Sequence, residues 1–375
     1  MAWVDGTQWT GGFPRKRPSN SYYKQIRPIL VLLRILGRFP YSMSADGVKP
    51  FRMTSAPAIY TIFFYTACCC LSVKTTISLI TMLKDSQNYD HSLQILMLMT
   101  YLIQNFVIPI TYWQKSGQIL EYIALWSKFE SEYTKEFNQL SCHRWINYGA
   151  IISLPIGFLY CFRIYLQVGV GLSNCLMFLL MIYASDLLTL LWMTTLYEVR
   201  QQARKLCQIV SKEGIGKETQ RKRYCWLMIS RLTSSFGDAI GLATGGLLTS
   251  LFFSFLIGWY GRLTSFMNRI KRAEYVWWEF AESSTIYVFF FFMLDSAERT
   301  TIEAGTKFSS IVLNLKHSKM DKETLNDMSL LLSCISTCPP IVTFAGFVEV
   351  NRTLLTTLVS NSVTYLVMLF QYRRE

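Results

Sequence analysis

Charge is what this sequence has least of. Asp, Glu, Lys and Arg make up only 16% of its 375 residues, where a soluble domain carries about 25%. The shortfall comes from long stretches without any charge, and these argue against the pair of soluble domains that length alone would suggest. Histidine is scarcer still. His91, His143 and His317 stand in connecting segments without a nucleophile or metal ligand at a useful spacing. GxSxG, Walker and HExxH elements are absent, so neither an enzyme nor a cofactor is expected. The ten cysteines are scattered and show no paired CxxC motifs with histidine partners, which argues against a zinc site. Cys334 and Cys338, four residues apart, read as one face of a packed helix. The first twenty residues hold Trp3, Trp9, two prolines and Arg15-Lys16-Arg17 but no apolar core. A signal peptide is therefore not expected, and the first membrane span has to act as its own insertion signal.

What is present is apolar length. Hydrophobic residues reach 51% and aromatics 15%. Seven windows have the extent of a transmembrane helix: Ala58 to Ile80, Leu93 to Trp113, Trp145 to Gln167, Cys175 to Tyr197, Ala239 to Tyr260, Trp277 to Leu294 and Leu354 to Gln371. The expected class is an all-α membrane protein. Four regions follow: an N-terminal segment (1–56), spans one to six with long connections (57–294), a further set of helices (295–352) and the last helix (353–375). Within the third region, Asp321-Lys322-Glu323 reads as a helix start and Pro339-Pro340 as its stop.

The net charge of +13 does not point to nucleic acid, because the basic residues lie between apolar runs rather than on one polar surface. With a cytosolic N-terminus, the inner segments hold 28 Lys and Arg and the outer ones 7. The positive-inside rule then predicts the N-terminus inside and the C-terminus outside. That orientation is the reverse of a G-protein-coupled receptor.

The last window has a polar stripe. Thr353, Thr357, Asn361, Thr364, Met368 and Gln371 follow steps of three or four, one face of a helix. A helix in lipid gains nothing from such a stripe unless it faces protein or water. Interhelical hydrogen bonds of about 0.6 kcal/mol each are one use for it; a water-filled path is another.

Gly346 to Leu355 leads into this window, and its end reads Thr364-Tyr365, five hydrophobic residues, then Gln371-Tyr372. This resembles the arthropod gustatory receptor signature, with Tyr372 in place of the usual Phe. Ile26-Arg27-Pro28-Ile29-Leu30 through Gly37-Arg38-Phe39-Pro40 is similar to that family's short N-terminal hydrophobic element. The resemblance, shared with insect odorant receptors, implies a tetrameric cation channel, homomeric or heteromeric, in the plasma membrane of sensory neurons. It implies a central pore bordered by the last helix, a cytosolic anchor domain, and a small-molecule tastant bound in the extracellular half of each helix bundle. Thr357, Asn361, Thr364, Met368, Gln371 and Tyr372 then become the pore residues, with Met368 and Tyr372 as the constriction and Gln371 as the polar ring beside it. A receptor that signals through other proteins and a secondary transporter remain as alternatives.

Ionisable residues inside spans are candidates for function. Asp186 sits in the middle of span four with Tyr183, and Glu282 sits near the outer end of span six beside Trp278. Arg163 and Gln167 end span three. Each could contact a ligand or simply bond to a neighbouring helix, and Arg163 could snorkel to the headgroups. The carboxylates and tryptophans favour a polar ligand such as a sugar. Gly241 and Gly245-Gly246 have the spacing of close helix contact. The sole Asn-x-Ser/Thr sequon is Asn351-Arg352-Thr353, on the cytosolic side of this topology. It should stay unglycosylated in insect cells; a glycosidase-sensitive mass shift abolished by Asn351→Gln would reverse the orientation.

Overall fold

The structure, a computed structural model, describes residues 21–44, 47–48, 52–86, 89–137, 172–213, 219–268, 288–315 and 322–372, with Pro155, Leu159 and Phe162. Almost everything described is helical. In chain order the helices are α1 (Ser21–Ile35), α2 (Ala56–Asp85), α3 (Tyr89–Gln114), α4 (Ser116–Phe137), α5 (Leu172–Glu213) and α6 (Thr219–Asn268). Then come α7 (288–313), α8 (Lys322–Thr337) and α9 (Arg352–Tyr372). Two antiparallel ribbons interrupt them, β1 (Met43–Ser44) with β2 (Gly47–Val48) and β3 (Thr343–Phe344) with β4 (Val348–Glu349).

Four of these helices are long and apolar enough to cross a membrane: α2, α3, α5 and α6. The α9 helix, 21 residues, spans about 31 Å at 1.5 Å per residue. Spans one, two, four, five and seven therefore fall on helices. Span three, apart from Pro155, Leu159 and Phe162, and residues 277–287 of span six lie outside the described residues. Helix α2 shows how lipid shapes the sequence. Only 22% of its apolar window is buried, and Ile59, Ile62, Phe63, Val73 and Ile77 are exposed along it. A water-soluble surface would not carry such a strip.

The span boundaries need one correction. Spans four and five are each expected to be about 22 residues, joined by a long connection. Instead α5 has 42 residues and α6 has 50, or about 63 and 75 Å. Both run far past the roughly 30 Å of hydrocarbon. The connection is a helical hairpin whose arms continue the spans. Apolarity marks only the membrane part of a helix; the rest is held by amphipathic packing.

That overhang carries the main core. Trp126 and Phe129 of α4, Val199, Leu206 and Val210 of α5, Trp226, Leu232 and Phe236 of α6, Phe308 and Val312 of α7 and Leu331 of α8 belong to one buried cluster. The N-terminal hydrophobic element is α1, and it is inserted into this core. Tyr22 stacks on Trp126 with ring centroids 4.3 Å apart and its hydroxyl lies 2.8 Å from Thr195 Oγ1. Gln25 donates to Glu198 Oε1 at 3.0 Å, and Glu130 accepts from the Ser21 amide. A second, smaller cluster joins Leu79, Ile95, Leu98, Leu102, Phe178 and Met181 of α2, α3 and α5.

Helix α7 contains a π-helical turn, Ile302–Thr306. The wider turn loosens the backbone ladder, and side chains take up the freed carbonyls: Trp226 Nε1 donates to Ala304 at 2.7 Å and Cys207 Sγ to Glu303 at 3.6 Å. Glu303 pairs with Arg204 at 2.8 Å and Lys307 at 3.1 Å. Burial alone would raise its pKa, but the two cations outweigh that and hold it below the usual carboxylate range.

The glycines of α6 serve a different partner from the one their spacing suggests. They face the β3–β4 ribbon as well as a helix. A Cβ on Gly241 would lie 2.6 Å from the Ala345 nitrogen, and one on Gly237 would collide with the Thr343 carbonyl oxygen. The Ala345 amide donates to the Gly237 carbonyl at 3.2 Å, and Ala345 itself sits at φ 53°, a left-handed conformation that a non-glycine residue adopts only when its surroundings impose it. Gly246 meets only the Val107 side chain, at 3.5 Å. Gly241→Leu should push the ribbon off α6 and destabilise the protein by about 1–3 kcal/mol, whereas Gly246→Ala should be tolerated. Thermal melts of the two purified variants check this, and equal melting temperatures would contradict the ribbon's dependence on Gly241.

Candidate functional site

The ribbon hands the chain directly to α9. The amide of Leu354 donates to Asn351 Oδ1 at 2.9 Å, an N-cap of the ordinary kind. Arg352, the first residue of α9, is clamped by α7. Its Nε and Nη2 donate to Asp295 Oδ1 at 2.9 and 2.5 Å, and its amide donates to Glu298 Oε2 at 2.5 Å. Arg299 holds the other Asp295 oxygen at 2.7 Å. Asp295 is buried, and two arginines are what allow a carboxylate to remain there. The end of the sixth span is thus tied ionically to the start of the last one.

Beyond this clamp α9 barely touches the chain. Ser362 is the one buried residue among its described side chains, and Leu354, Leu355, Leu358 and Leu366 are half-buried. Leu354, Leu358, Ser362 and Leu366 form a single line at steps of four, with Leu355 beside it. The polar stripe lies on the opposite side: Thr353, Thr357, Asn361, Thr364, Met368 and Gln371 are all exposed. Thr357 and Thr364 bond back to the carbonyls of Thr353 and Ser360, at 2.9 and 3.0 Å, rather than to another helix. Hydrogen bonding within one chain does not explain the stripe. The side chain of Tyr372 lies outside the described residues.

Elsewhere in the spans, buried polar groups do pair across helices. Asn105 of α3 donates to Ser72 of α2 at 3.0 Å, Thr75 of α2 to Asn174 of α5 at 2.9 Å, and Ser185 of α5 to Gln104 of α3 at 3.0 Å.

Of the expected ligand residues, Tyr183 and Asp186 are placed. They lie three residues apart on α5, Tyr183 buried and Asp186 half-buried. Arg163, Gln167, Trp278 and Glu282 lie outside the described residues. Among the described residues no group of three or more His, Cys, Asp or Glu is arranged to hold a metal. A feature the sequence reading passes over is a small cavity lined by Arg38, Gln104, Ile108, Tyr112, Met181 and Ser185, among others. The adjacent amides Gln104 and Asn105 in the middle of span two are the signal that could have found it.

A family model described as 7tm chemosensory receptor matches residues 26–374. The chain belongs to this family. The gustatory and odorant receptor 22 of Anopheles gambiae is 22% identical over 381 residues, covering 94% of this chain and 79% of that protein. The gustatory and odorant receptor 21a of Drosophila melanogaster is 21% identical over 383 residues, covering 94% and 81%. The olfactory receptor OR5 of Machilis hrabei has the same fold, with a TM-score of 0.65 at 13% identity over 94% of this chain and 99% of that one. A solved structure of OR5 in complex with eugenol matches with a TM-score of 0.62. The resemblance carried by the two terminal motifs is therefore correct at the level of the family.

The clamp makes this chemosensory receptor's last helix depend on α7. In a double-mutant cycle on thermal stability, Asp295→Asn and Arg352→Gln should be strongly non-additive, while Arg299→Gln, on the same helix as Asp295, should couple less. Additive losses for the Asp295–Arg352 pair would show that the contact does not link the two helices.

Proposed function

We propose that the chain is one subunit of a tetrameric cation channel opened by a small-molecule tastant, in the plasma membrane of sensory neurons. The observation that carries the reading is the unshared surface of α9. The stripe is exposed on one side, and Val359, Val363, Tyr365 and Val367 are exposed on its flanks. In lipid the stripe has no partner, and water cannot reach it unless several copies enclose a path. Four α9 helices around an axis would turn the hydroxyls and amides to the centre and the valines to each other. Uncharged groups of this kind bind cations weakly, as rapid conduction requires. Met368 and Tyr372 would form the constriction, and Gln371 a polar ring beside it.

The N-terminus lies inside and the C-terminus outside on this reading, so the overhanging ends of α5 and α6 with α1, α4, α7 and α8 form a cytosolic anchor. A ligand would sit in the outer half of the bundle against Tyr183 and Asp186, with Arg163, Gln167, Trp278 and Glu282. The carboxylates favour a polar ligand such as a sugar. That OR5 has been solved with eugenol supports a small molecule within this fold. Ligand energy would reach the pore through α7 and the Asp295–Arg352 clamp.

Cysteines placed at Asn361, Thr364 and Met368 should react with a water-soluble thiol reagent faster when agonist is present, and cysteines at Leu358 and Leu366 should not. Gln371→Glu should raise the permeability of divalent relative to monovalent cations. Equal labelling on both faces, or agonist signals without uncoupled ion flux, would count against the channel and favour a receptor signalling through other proteins or a transporter.

A further inference from the structure

The cavity between α1, α3 and α5 contains an unusual charge. Helix α1 ends in a Schellman turn: the Gly37 amide donates to Arg34 and the Arg38 amide to Leu33, at 3.0 and 2.8 Å, with Gly37 at φ 64°. This turn drives the next residue inward, and Arg38 is left 8% exposed. Its Nη2 donates to Asn105 Oδ1 at 2.5 Å, a neutral acceptor. Arg38 forms no ion pair with a carboxylate among the described residues. Among the described residues, the ionisable groups that act on it electrostatically are the thiols of Cys68 and Cys69 and the phenols of Tyr65 and Tyr112, all uncharged near neutral pH in their ordinary state.

Three further donors converge without partners: Arg38 Nη1, Gln104 Nε2 and the Tyr112 hydroxyl are all buried and unbonded. All three residues line the same cavity, and Gln104 and Tyr112 are each 3% exposed. Gln104 Oε1 lies 3.0 Å from Ser185 Oγ, which leaves Nε2 as the amide atom without a partner. A buried guanidinium with no counter-charge is costly, and an amide N–H and a hydroxyl beside it complete an anion's donor set rather than a cation's. The space is about that of one water, too little for a carboxylate or a phosphate; a halide, which is larger than water, enters as the flexible Arg38 and Gln104 side chains draw back.

We propose that this cavity is a halide site, in which chloride accepts from Arg38 Nη1, Gln104 Nε2 and the Tyr112 hydroxyl and joins the segment after α1 to α3. The ion neutralises Arg38 and bridges the N-terminal element and the membrane bundle. The site stands independently of the channel reading, since it needs neither an agonist nor a pore.

The test uses the purified full-length protein in lipid nanodiscs. Radioactive chloride should bind saturably. The melting temperature should rise with chloride or bromide concentration relative to gluconate at constant sodium, because a ligand of the folded state stabilises it. Tyr112→Phe, which keeps the ring and removes one donor to a charged acceptor, should weaken chloride binding about tenfold. Arg38→Gln should abolish it; should that variant fail to fold, Tyr112→Phe and Gln104→Leu decide the matter. Equal melting temperatures in chloride and gluconate with no saturable binding would mean that only a water occupies the cavity, and would overturn the proposal. So would binding left unchanged by both Tyr112→Phe and Gln104→Leu, which would place the ion elsewhere.

Discussion

Hydrocarbon is about 30 Å thick, and the 42 and 50 residues of α5 and α6 exceed it about twofold. Most of this fold follows from that mismatch. The parts of α5 and α6 beyond the bilayer must bury their apolar stripes against something, and α1, α4, α7 and α8 provide it through Tyr22, Trp126, Phe308 and Leu331. The larger core therefore extends through the overhang, while the smaller cluster around Leu98 and Phe178 holds α2, α3 and α5 together. This division has a solvent reason. In water apolar burial drives packing; in lipid it does not, and the spans rely on close fit and on cross-helix pairs such as Asn105 with Ser72.

The last helix is attached to this frame at one end only. Below α9, the β3–β4 ribbon docks on Gly237 and Gly241 and Phe344 tilts against Trp192 at 5.6 Å. The Trp192 Nε1 in turn donates to the Met293 carbonyl on α7 at 3.3 Å. Two residues along that helix, Asp295 grips Arg352. Helices α5, α6 and α7 thus meet at the root of α9 through short contacts, and a shift of any one of them is felt there. Above the root, among the described side chains, the line from Leu354 to Leu366 is what packs against the chain.

The parts of this arrangement visible in the sequence are those written in short-range pattern. The spans show because lipid demands about twenty uncharged residues in a row. The end of α8 shows because Pro339-Pro340 cannot continue a helix. The stripe of α9 shows because its period is that of a helix, and its six positions do share an exposed face. What stays hidden depends on distant partners. Nothing local to Gly237 says that a ribbon more than a hundred residues later will need its missing side chain. The overhangs of α5 and α6 read as loops because their charge masks an amphipathic period that matters only once α1 and α4 are in place. Arg38 reads as one more basic residue of an inner segment, and only the fold brings it to Gln104 and Tyr112.

The spans hold two kinds of polar group. Asn105, Thr75 and Ser185 find acceptors on neighbouring helices, so the bundle can satisfy polar side chains where it has them. Thr357 and Thr364 bond instead to their own helix, as an isolated helix would. A hydroxyl turned back on its backbone contributes little to holding two helices together. The stripe is therefore no cement for the fold of one chain, and its removal to leucine would cost that fold little. From Thr353 to Gln371 the face is polar and exposed except for Met368, which is exposed with it. The valines flanking it, Val359, Val363 and Val367, are exposed as well, so α9 is packed along one line and open beside it.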